Sequence, residues 1–221
     1  MIQAVIFDMD GLLIDSEPFW EEAEIQIFNA IGLPFTMEMC AETTGTPITE
    51  IVKLRHRQFQ WDATRYPIDV VAEQILNRVI DKVNSSGVPM PGVPYVIESF
   101  LQRGFRVALA SSSPSRLIDA TLSRLGIASL FEVIQSAEKL AFGKPHPLVF
   151  LECARRLRLS SAECLVFEDS PNGVIAAKAA GMTCIAIPDK KRLHSSSFLN
   201  ADAVLPSLSH FDFHFLARDT A

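Results

Sequence analysis

Short apolar runs, separated by segments with helical periodicity, form the main pattern of hydrophobic and polar positions along this chain. The first run, Ala4-Val5-Ile6-Phe7, has the length and composition of a buried strand. Similar runs and amphipathic segments then predict helices at 95–103, 117–125, 148–157 and 174–180 and strands at 107–110, 133–135, 164–167, 184–187 and 203–205. Short continuous apolar strands joined by helices are typical of an α/β fold whose parallel sheet is covered by helices on both faces.

Residues 16–86 differ from the rest of the chain, because they show helical periodicity without strand-like runs. The periodicity predicts helices at 17–31, 48–57 and 68–83, and a cluster of Gly and Pro at 87–92 marks the end of the segment. We therefore predict a core domain of residues 1–15 and 87–221, with a helical cap of residues 16–86 inserted after the first strand. Lying over the sheet edge that carries Asp8, such a cap would exclude water and select the substrate.

The composition argues against several classes of partner. With 48% hydrophobic and 21% charged residues, the 221-residue chain has enough apolar material for a substantial core. Its formal net charge of -6 disfavours binding to nucleic acid or to an anionic membrane. No apolar stretch approaches the roughly 20 residues that span a bilayer. Nothing in the sequence indicates an obligate assembly, so we expect a monomer.

The four cysteines, Cys40, Cys153, Cys164 and Cys184, show no spacing typical of a zinc site. Three of them lie inside apolar runs, where a free cysteine behaves as a small hydrophobic residue. The chain opens on a strand-like run rather than on a charged leader followed by an apolar stretch. These features predict a soluble, reduced protein of the cytoplasm.

Two carboxylates stand at the end of the first predicted strand, in Asp8-Met9-Asp10-Gly11. Ionised groups this close to one another repel, so the fold must offset the repulsion with a cation, a proton or a ligand. A strand that runs into an Asp-Gly turn would explain the pattern without chemistry. Ligands of open α/β sheets bind at the carboxyl ends of strands, however, and this placement favours a catalytic role.

Polar residues suited to a phosphoryl group occur at two further positions. Ser111-Ser112-Ser113 ends the strand at 107–110, where a hydroxyl and the start of the next helix can both contact a phosphoryl oxygen. The last of these serines is expected to cap that helix. Lys144 lies in Gly143-Lys144-Pro145-His146-Pro147, where the restricted backbone beside proline can aim its ammonium group. Most lysines are solvated on the surface, but the position of this one favours function.

The strand at 164–167 runs into Glu168-Asp169-Ser170-Pro171-Asn172-Gly173, which again places adjacent acids after an apolar run. Helix capping by Ser170-Pro171 explains part of this motif but not its acids. A hard cation such as Mg²⁺ takes oxygen ligands and usually retains waters and substrate phosphate. Such a site could be supplied by Asp8, Asp10 and Asp169.

These four motifs, in this order, resemble the signatures of the haloacid dehalogenase superfamily, and the resemblance covers nearly the whole chain. Residues 7–17 and 136–139 look more specifically like bacterial 2-deoxyglucose-6-phosphate phosphatases of the β-phosphoglucomutase-like branch. The resemblance implies a Rossmann-like catalytic core with a helical cap, and Mg²⁺-dependent hydrolysis of small sugar phosphates.

The resemblance also implies roles for the acids. Asp8 would attack phosphorus to give an aspartyl-phosphate. Asp10 would protonate the leaving oxygen and later take a proton from the attacking water. Asp8, Asp169 and the backbone carbonyl of Asp10 would hold Mg²⁺, with Glu168 orienting a metal-bound water.

The remaining site residues implied by the resemblance contact the substrate. Lys144, the Ser111 hydroxyl and the backbone of Ser112 would bind the oxygens of the transferring group. In the cap, Thr44 and Gly45 are expected in a loop that faces the pocket, where glycine allows close approach of the backbone. Glu17 could meet the hydroxyls of a sugar.

Other members of the superfamily suggest alternative reactions, which specific positions of this chain disfavour. Dehalogenases lack the second acid, which is present here as Asp10. β-Phosphoglucomutases have a His where this chain has Trp20 and an Arg in the cap loop, where this chain reads Thr46-Pro47-Ile48-Thr49. These departures favour hydrolysis over a phosphosugar mutase. A catalytically silent sugar-phosphate-binding module is the remaining alternative, and the retained acid pair and Lys144 argue against it.

Overall fold

The computed structural model describes residues 1–43 and 46–220. The chain divides into two compact units, one comprising Met1–Asp15 and Val88–Ala221 and the other comprising Ser16–Gly87. Thr44 and Gly45, the predicted substrate contacts of the cap loop, lie outside the described residues.

A sheet of six strands forms the first unit. In chain order the strands are β1 (Ala4–Phe7), β2 (Arg106–Ser111), β3 (Val133–Ser136), β4 (Cys164–Glu168), β5 (Thr183–Ala186) and β6 (Ala203–Val204). They are all parallel and lie in the order β3-β2-β1-β4-β5-β6. Phe7 pairs with Leu109 on one side and with Phe167 on the other, so β1, β2 and β4 end at the same edge. The parallel sheet predicted from the short apolar runs is confirmed.

The described residues contain eight α-helices. They are α1 (Glu17–Ala30), α2 (Met37–Ala41), α3 (Ile48–Phe59), α4 (Ile68–Ser86), α5 (Val93–Gln102), α6 (Ser115–Leu125), α7 (Leu148–Leu157) and α8 (Pro171–Ala179). The sequence predicts seven of them within a few residues at each end. It does not predict α2, because five residues are too few to show a helical period. None of these described helices is both long enough and apolar enough to cross a bilayer.

Helices cover both faces of the sheet, because alternate residues of each strand point to opposite sides. Ala4 and Ile6 of β1 belong to a buried cluster that includes Phe150 of α7 and Val174 of α8. On the other face the ring of Phe7 packs edge-on against Phe100 of α5, with ring centroids 6.2 Å apart. The predicted Rossmann-like α/β core is therefore confirmed, and its doubly buried strands explain why the runs are continuously apolar.

The second unit is formed by α1 to α4, and the described part of it contains no strand. Helix α4 packs against both α1 and α3. Phe28 is fully buried, and the rings of Phe35 and Trp61 pack against it. The helical periodicity of the segment therefore corresponds to the observed elements.

Two ionisable side chains are buried inside this helical unit. Arg55 is fully buried and donates hydrogen bonds to Glu42 and Gln58, each at 2.9 Å, and to the carbonyl of Met39. Burial raises the pKa of Glu24 to about 7, although the charge of Arg55 acts in the opposite direction. Among the described atoms, Glu24 Oε2 and Arg55 Nε have no hydrogen-bond partner. The unit thus carries a carboxyl group whose ionised form is poorly stabilised.

We expect Glu24→Gln to flatten the pH dependence of stability in the helical unit. The folded pKa of about 7 lies above the ordinary 4.5. Folding therefore favours the protonated acid, and stability is lost as the pH rises through 7. The loss approaches about 3 kcal/mol well above that pH. Both tryptophans, Trp20 and Trp61, lie in this unit, so urea unfolding followed by tryptophan fluorescence reports on it.

The comparison requires wild type, Glu24→Gln and a control, Glu73→Gln, which removes an exposed acid of α4. Each protein is unfolded at pH 5 and at pH 8.5. The wild type and the control should lose stability between the two values, and Glu24→Gln should lose less. An equal loss in all three proteins would contradict the prediction.

Candidate active site

Three strand ends bring acids and a hydroxyl to one edge of the sheet. Asp8 directly follows β1, Ser111 is the last residue of β2, and Glu168 ends β4 and is followed by Asp169. The in-register pairing of β1 with β2 and with β4 places these ends side by side. Asp8, Ser111 and Glu168 are all buried. This is the carboxyl edge, where ligands of open α/β sheets bind.

Lys144 contacts two of these acids. Its Nζ donates a hydrogen bond to Oδ1 of Asp8 at 2.5 Å, a second to the Glu168 carboxylate, and a third to the carbonyl of Ala110 at 3.2 Å. The side chain is 6% exposed, and its ammonium lies 4.9 Å from the ring centroid of Phe150. Lys144 is therefore a buried cation held by the fold, and not a solvated surface lysine.

Three carboxylates lie close enough to share a cation. Oxygens of Asp8, Glu168 and Asp169 are within 4.8 Å of one another, and carboxylate oxygens are the ligands of hard divalent ions. Glu168 belongs to this group, although the resemblance implies only an indirect role for it. The Asp10 side chain is not one of the three, although the motifs predict a site supplied by Asp8, Asp10 and Asp169; the resemblance implies that Asp10 contributes its backbone carbonyl.

Burial makes this group of negative charges costly. It raises the pKa of Asp8 to about 8; the charge of Lys144 acts against this rise, and Glu168 adds to it. Burial, together with the charges of Glu168 and Asp8, raises the pKa of Asp169 well above its usual range. Burial by itself would lower the pKa of Lys144, but its neighbours Asp8 and Glu168 raise this pKa above its ordinary value. One ammonium does not balance three acids, so a divalent cation fits this site in charge as well as in donor type.

Two glycines make room for the acids. A Cβ at Gly11 would overlap the carboxylate of Asp169, and a Cβ at Gly173 would overlap that of Glu168. Gly11 also has a φ of +75°, a conformation that costs other residues about 1–2 kcal/mol. Both glycines stand in the sequence motifs, where no role is predicted for them. The sequence feature that could have indicated this role is a glycine beside or shortly after the acids of each motif.

We expect Gly11→Ala to reduce turnover at least about tenfold, because the new methyl group displaces Asp169 from its position. Gly104→Ala is the matched control. Gly104 has a φ of +80°, and the described atoms leave open space where its Cβ would lie. Backbone strain should cost each variant about 1–2 kcal/mol of stability, and the overlap with Asp169 should make the loss in thermal unfolding larger for Gly11→Ala than for Gly104→Ala. Equal activity of Gly104→Ala and Gly11→Ala would show that the overlap with Asp169 does not disturb the site.

Asp10 accepts a hydrogen bond from Ser113, a serine predicted to cap the next helix. Helix α6 begins at Ser115, preceded by Pro114, whose side chain cannot cap it. Ser113 Oγ instead donates to Oδ2 of Asp10 at 2.6 Å. The capping prediction for Ser113 is wrong, because this serine lies two residues before the helix and a carboxylate is the stronger acceptor.

The other predicted site residues are divided between the two units. Ser111 and Ser112 adjoin at the end of β2, where Ser111 is buried and Ser112 half-buried. Glu17 is the first residue of α1 in the helical unit and is exposed. Ser170 caps α8 as predicted, accepting a hydrogen bond from the Gly173 N–H at 3.0 Å. The first unit therefore contains the predicted residues Asp8, Asp10, Ser111, Ser112, Lys144 and Asp169.

A family model described as haloacid dehalogenase-like hydrolase matches residues 5–187, a range that includes all of these site residues of the first unit. The chain belongs to the haloacid dehalogenase-like hydrolases. Hexitol phosphatase B of Escherichia coli (strain K12) is 36% identical to this hydrolase over 209 residues, which cover 94% of this chain and 93% of the relative. The family resemblance is thereby confirmed, and these matches support phosphoric monoester hydrolysis.

Two solved structures resemble this haloacid dehalogenase-like hydrolase over nearly their whole length. CbbY from Rhodobacter sphaeroides in complex with phosphate is 26% identical, with a TM-score of 0.84 and coverage of 95% of this chain and 96% of that chain. β-Phosphoglucomutase from Clostridium difficile is 22% identical, with a TM-score of 0.83 and coverage of 99% and 96%. At that identity, the likeness to the mutase shows the fold alone.

Proposed function

We propose that this hydrolase is a Mg²⁺-dependent phosphatase that acts on small sugar phosphates through an aspartyl-phosphate intermediate. The observation that carries the proposal is the position of Lys144, buried in contact with Asp8 and Glu168 at the carboxyl edge of the sheet. A cation held beside a potential nucleophile can bind the negatively charged oxygens of a phosphate ester. Asp10, two residues from Asp8, supplies the second acid that ester hydrolysis requires.

Asp8 is the nucleophile of the proposed reaction. One of its oxygens forms a bond to phosphorus while the bond from phosphorus to the ester oxygen breaks. Only the carboxylate form can attack, and the charge of Lys144 opposes the rise in the pKa of Asp8 that burial causes. The buried contact therefore has a chemical role as well as a structural one.

Asp10 moves the protons. Its carboxyl group gives a proton to the ester oxygen as that oxygen leaves, and the alcohol departs. The resulting carboxylate then takes a proton from water, which attacks the aspartyl-phosphate and releases inorganic phosphate. After this step both Asp8 and Asp10 have returned to their starting forms.

Lys144, the Ser111 hydroxyl and the backbone of Ser112 bind the oxygens of the transferring group. Asp8, Asp169 and the backbone carbonyl of Asp10 would hold Mg²⁺, with Glu168 close to the site. When bound, the ion supplies positive charge that stabilises the transferring phosphoryl group. Positioning and charge then provide most of the rate enhancement, as is general for phosphoryl transfer.

Hexose and polyol phosphates are the proposed substrates, including 2-deoxyglucose 6-phosphate and hexitol phosphates. The hexitol phosphatase name of the relative supports this class. Thr44, Gly45 and Glu17 stay predicted sugar contacts, and the exclusion of water by the helical unit stays a prediction. A monomeric state, a cytoplasmic location and the lack of nucleic-acid and membrane partners also stay predictions.

A phosphate-release assay tests the proposal. Purified protein is offered hexose, deoxyhexose and polyol phosphates, with Mg²⁺ and with EDTA. We expect release that requires Mg²⁺ and is restored when the ion is added back. If no phosphate is released but β-glucose 1-phosphate is converted to glucose 6-phosphate after priming with bisphosphate, the enzyme is a mutase. If neither assay detects a product, the alternative of a catalytically silent sugar-phosphate-binding module is supported.

A further inference from the structure

Ser113 is held in place by hydrogen bonds on both sides of its backbone. Its N–H donates to Ser111 Oγ at 3.0 Å, and its carbonyl accepts from Ser136 Oγ at 2.6 Å. Ser136 Oγ in turn accepts from the N–H of Glu138 at 3.0 Å. Ser113 is 8% exposed. The backbone of Ser113, from which its side chain projects, is therefore held by the last residues of β2 and β3.

The hydroxyl of Ser113 points at the proposed acid and base of the reaction. Ser113 Oγ lies 2.6 Å from Oδ2 of Asp10, a distance typical of a strong O–H···O⁻ hydrogen bond. The same serine thus joins two parts of the site: its backbone contacts Ser111, which binds the phosphoryl group, and its side chain contacts Asp10.

We propose that Ser113 is a positioning residue for Asp10, an inference that rests on the proposed function. The hydrogen bond from the Ser113 hydroxyl to Oδ2 orients the carboxyl group of Asp10. As the ester bond breaks, the proton passes from Asp10 to the ester oxygen, which departs as an alcohol. Asp10 remains as a carboxylate, still held at Oδ2 by the Ser113 hydroxyl. Ser113 therefore helps to place the group that delivers the proton.

The leaving group of the substrate separates this role from a purely structural one. A sugar alkoxide is a poor leaving group and needs the proton of Asp10, whereas 4-nitrophenolate is stable as an anion and leaves without it. The ratio kcat/KM includes only the steps up to departure of the alcohol, because that departure is the first irreversible step. It therefore excludes the later attack of water on the aspartyl-phosphate.

The experiment compares kcat/KM of wild type and Ser113→Ala for the best sugar phosphate and for 4-nitrophenyl phosphate. We expect kcat/KM of Ser113→Ala to fall about tenfold to a hundredfold with the sugar phosphate, which is part of what a general acid contributes. With 4-nitrophenyl phosphate, kcat/KM should fall less than about threefold. Most of the sugar-phosphate loss should lie in kcat rather than in KM. Ser123→Ala, which removes an exposed hydroxyl of α6, should behave as the wild type with both substrates.

Two further variants keep the test decisive. Ser113→Thr retains the hydroxyl and should restore the ratio between the two substrates. If Ser113→Ala fails to fold, Ser113→Cys can replace it, because cysteine fills similar space but is a weak hydrogen-bond donor. Its kcat/KM should fall with the sugar phosphate and not with 4-nitrophenyl phosphate. Equal losses with both substrates, or no loss, would overturn the inference while leaving the phosphatase intact. If the wild type releases no phosphate, the proposed function itself fails.

Discussion

Asp8→Asn is expected to reduce kcat by at least about 10⁴-fold, because an amide oxygen cannot replace the carboxylate that attacks phosphorus. In the proposed mechanism every turnover passes through a bond between Asp8 and phosphorus, so no other side chain compensates. The loss should be equally large with sugar phosphates and with 4-nitrophenyl phosphate, since neither leaving group departs unless Asp8 bonds to phosphorus. Phosphate release with Mg²⁺ present measures the effect.

The loss of activity in Asp8→Asn should not result from unfolding. Burial raises the pKa of Asp8 to about 8, so the folded protein without a cation favours the uncharged acid, and asparagine has nearly the same shape. As the pH rises from 4 through 8, ionisation of Asp8 should lower the stability of the wild type but not that of the variant. Thermal unfolding in EDTA at pH 8 should therefore find it at least as stable as the wild type.

Asp15→Asn is the matched control for this substitution. Asp15 is an exposed acid of the same unit, seven residues further along the chain. We expect full activity from this variant. Substantial phosphate release by Asp8→Asn, after deamidation has been excluded by mass spectrometry, would show that another group is the nucleophile.

Lys144→Met should cost both activity and stability. Methionine preserves much of the side-chain volume but leaves Asp8 and Glu168 buried without their shared cation. Breaking a buried ion pair by removing one partner costs about 3–5 kcal/mol. We also expect kcat to fall about 10²- to 10³-fold, because the phosphoryl oxygens lose a charged contact.

The stability loss in Lys144→Met should grow as the pH increases. The charge of Lys144 lowers the pKa of Asp8, although burial dominates, so the pKa rises further once the lysine is removed. Protonation then relieves the repulsion at low pH, and the uncompensated charges act only at high pH. Because the wild-type pKa of Asp8 is already about 8, urea unfolding at pH 7 and pH 9.5 in EDTA should show the larger difference from wild type at pH 9.5.

Lys139→Met provides the comparison, because Lys139 is an exposed lysine of the segment that leads to Lys144. Its stability and activity should stay close to those of the wild type. If Lys144→Met is as stable as Lys139→Met at both pH values, the buried charges are balanced by groups other than Lys144.

The fold could be predicted because its signals are local. The apolar run Ala4–Phe7 needs only its own residues to indicate a doubly buried strand, and the acid motifs stand at strand ends that periodicity alone locates. Glu168 was harder to interpret, since its sequence neighbours do not show that it contacts Lys144 24 residues earlier. Helix α2 was missed because it is shorter than the period that reveals a helix.

The parallel α/β core, the helical segment and the strand ends that carry Asp8, Asp10 and Asp169 all follow from local patterns in the sequence. The contact of Ser113 with Asp10, 103 residues apart in the sequence, and that of Lys144 with Asp8, 136 residues apart, are visible only in the folded chain. The same is true of the space that Gly11 leaves and Asp169 fills. Strand formation follows from neighbouring residues, whereas a hydrogen bond or an overlap depends on where the folded backbone places atoms that are distant in the chain.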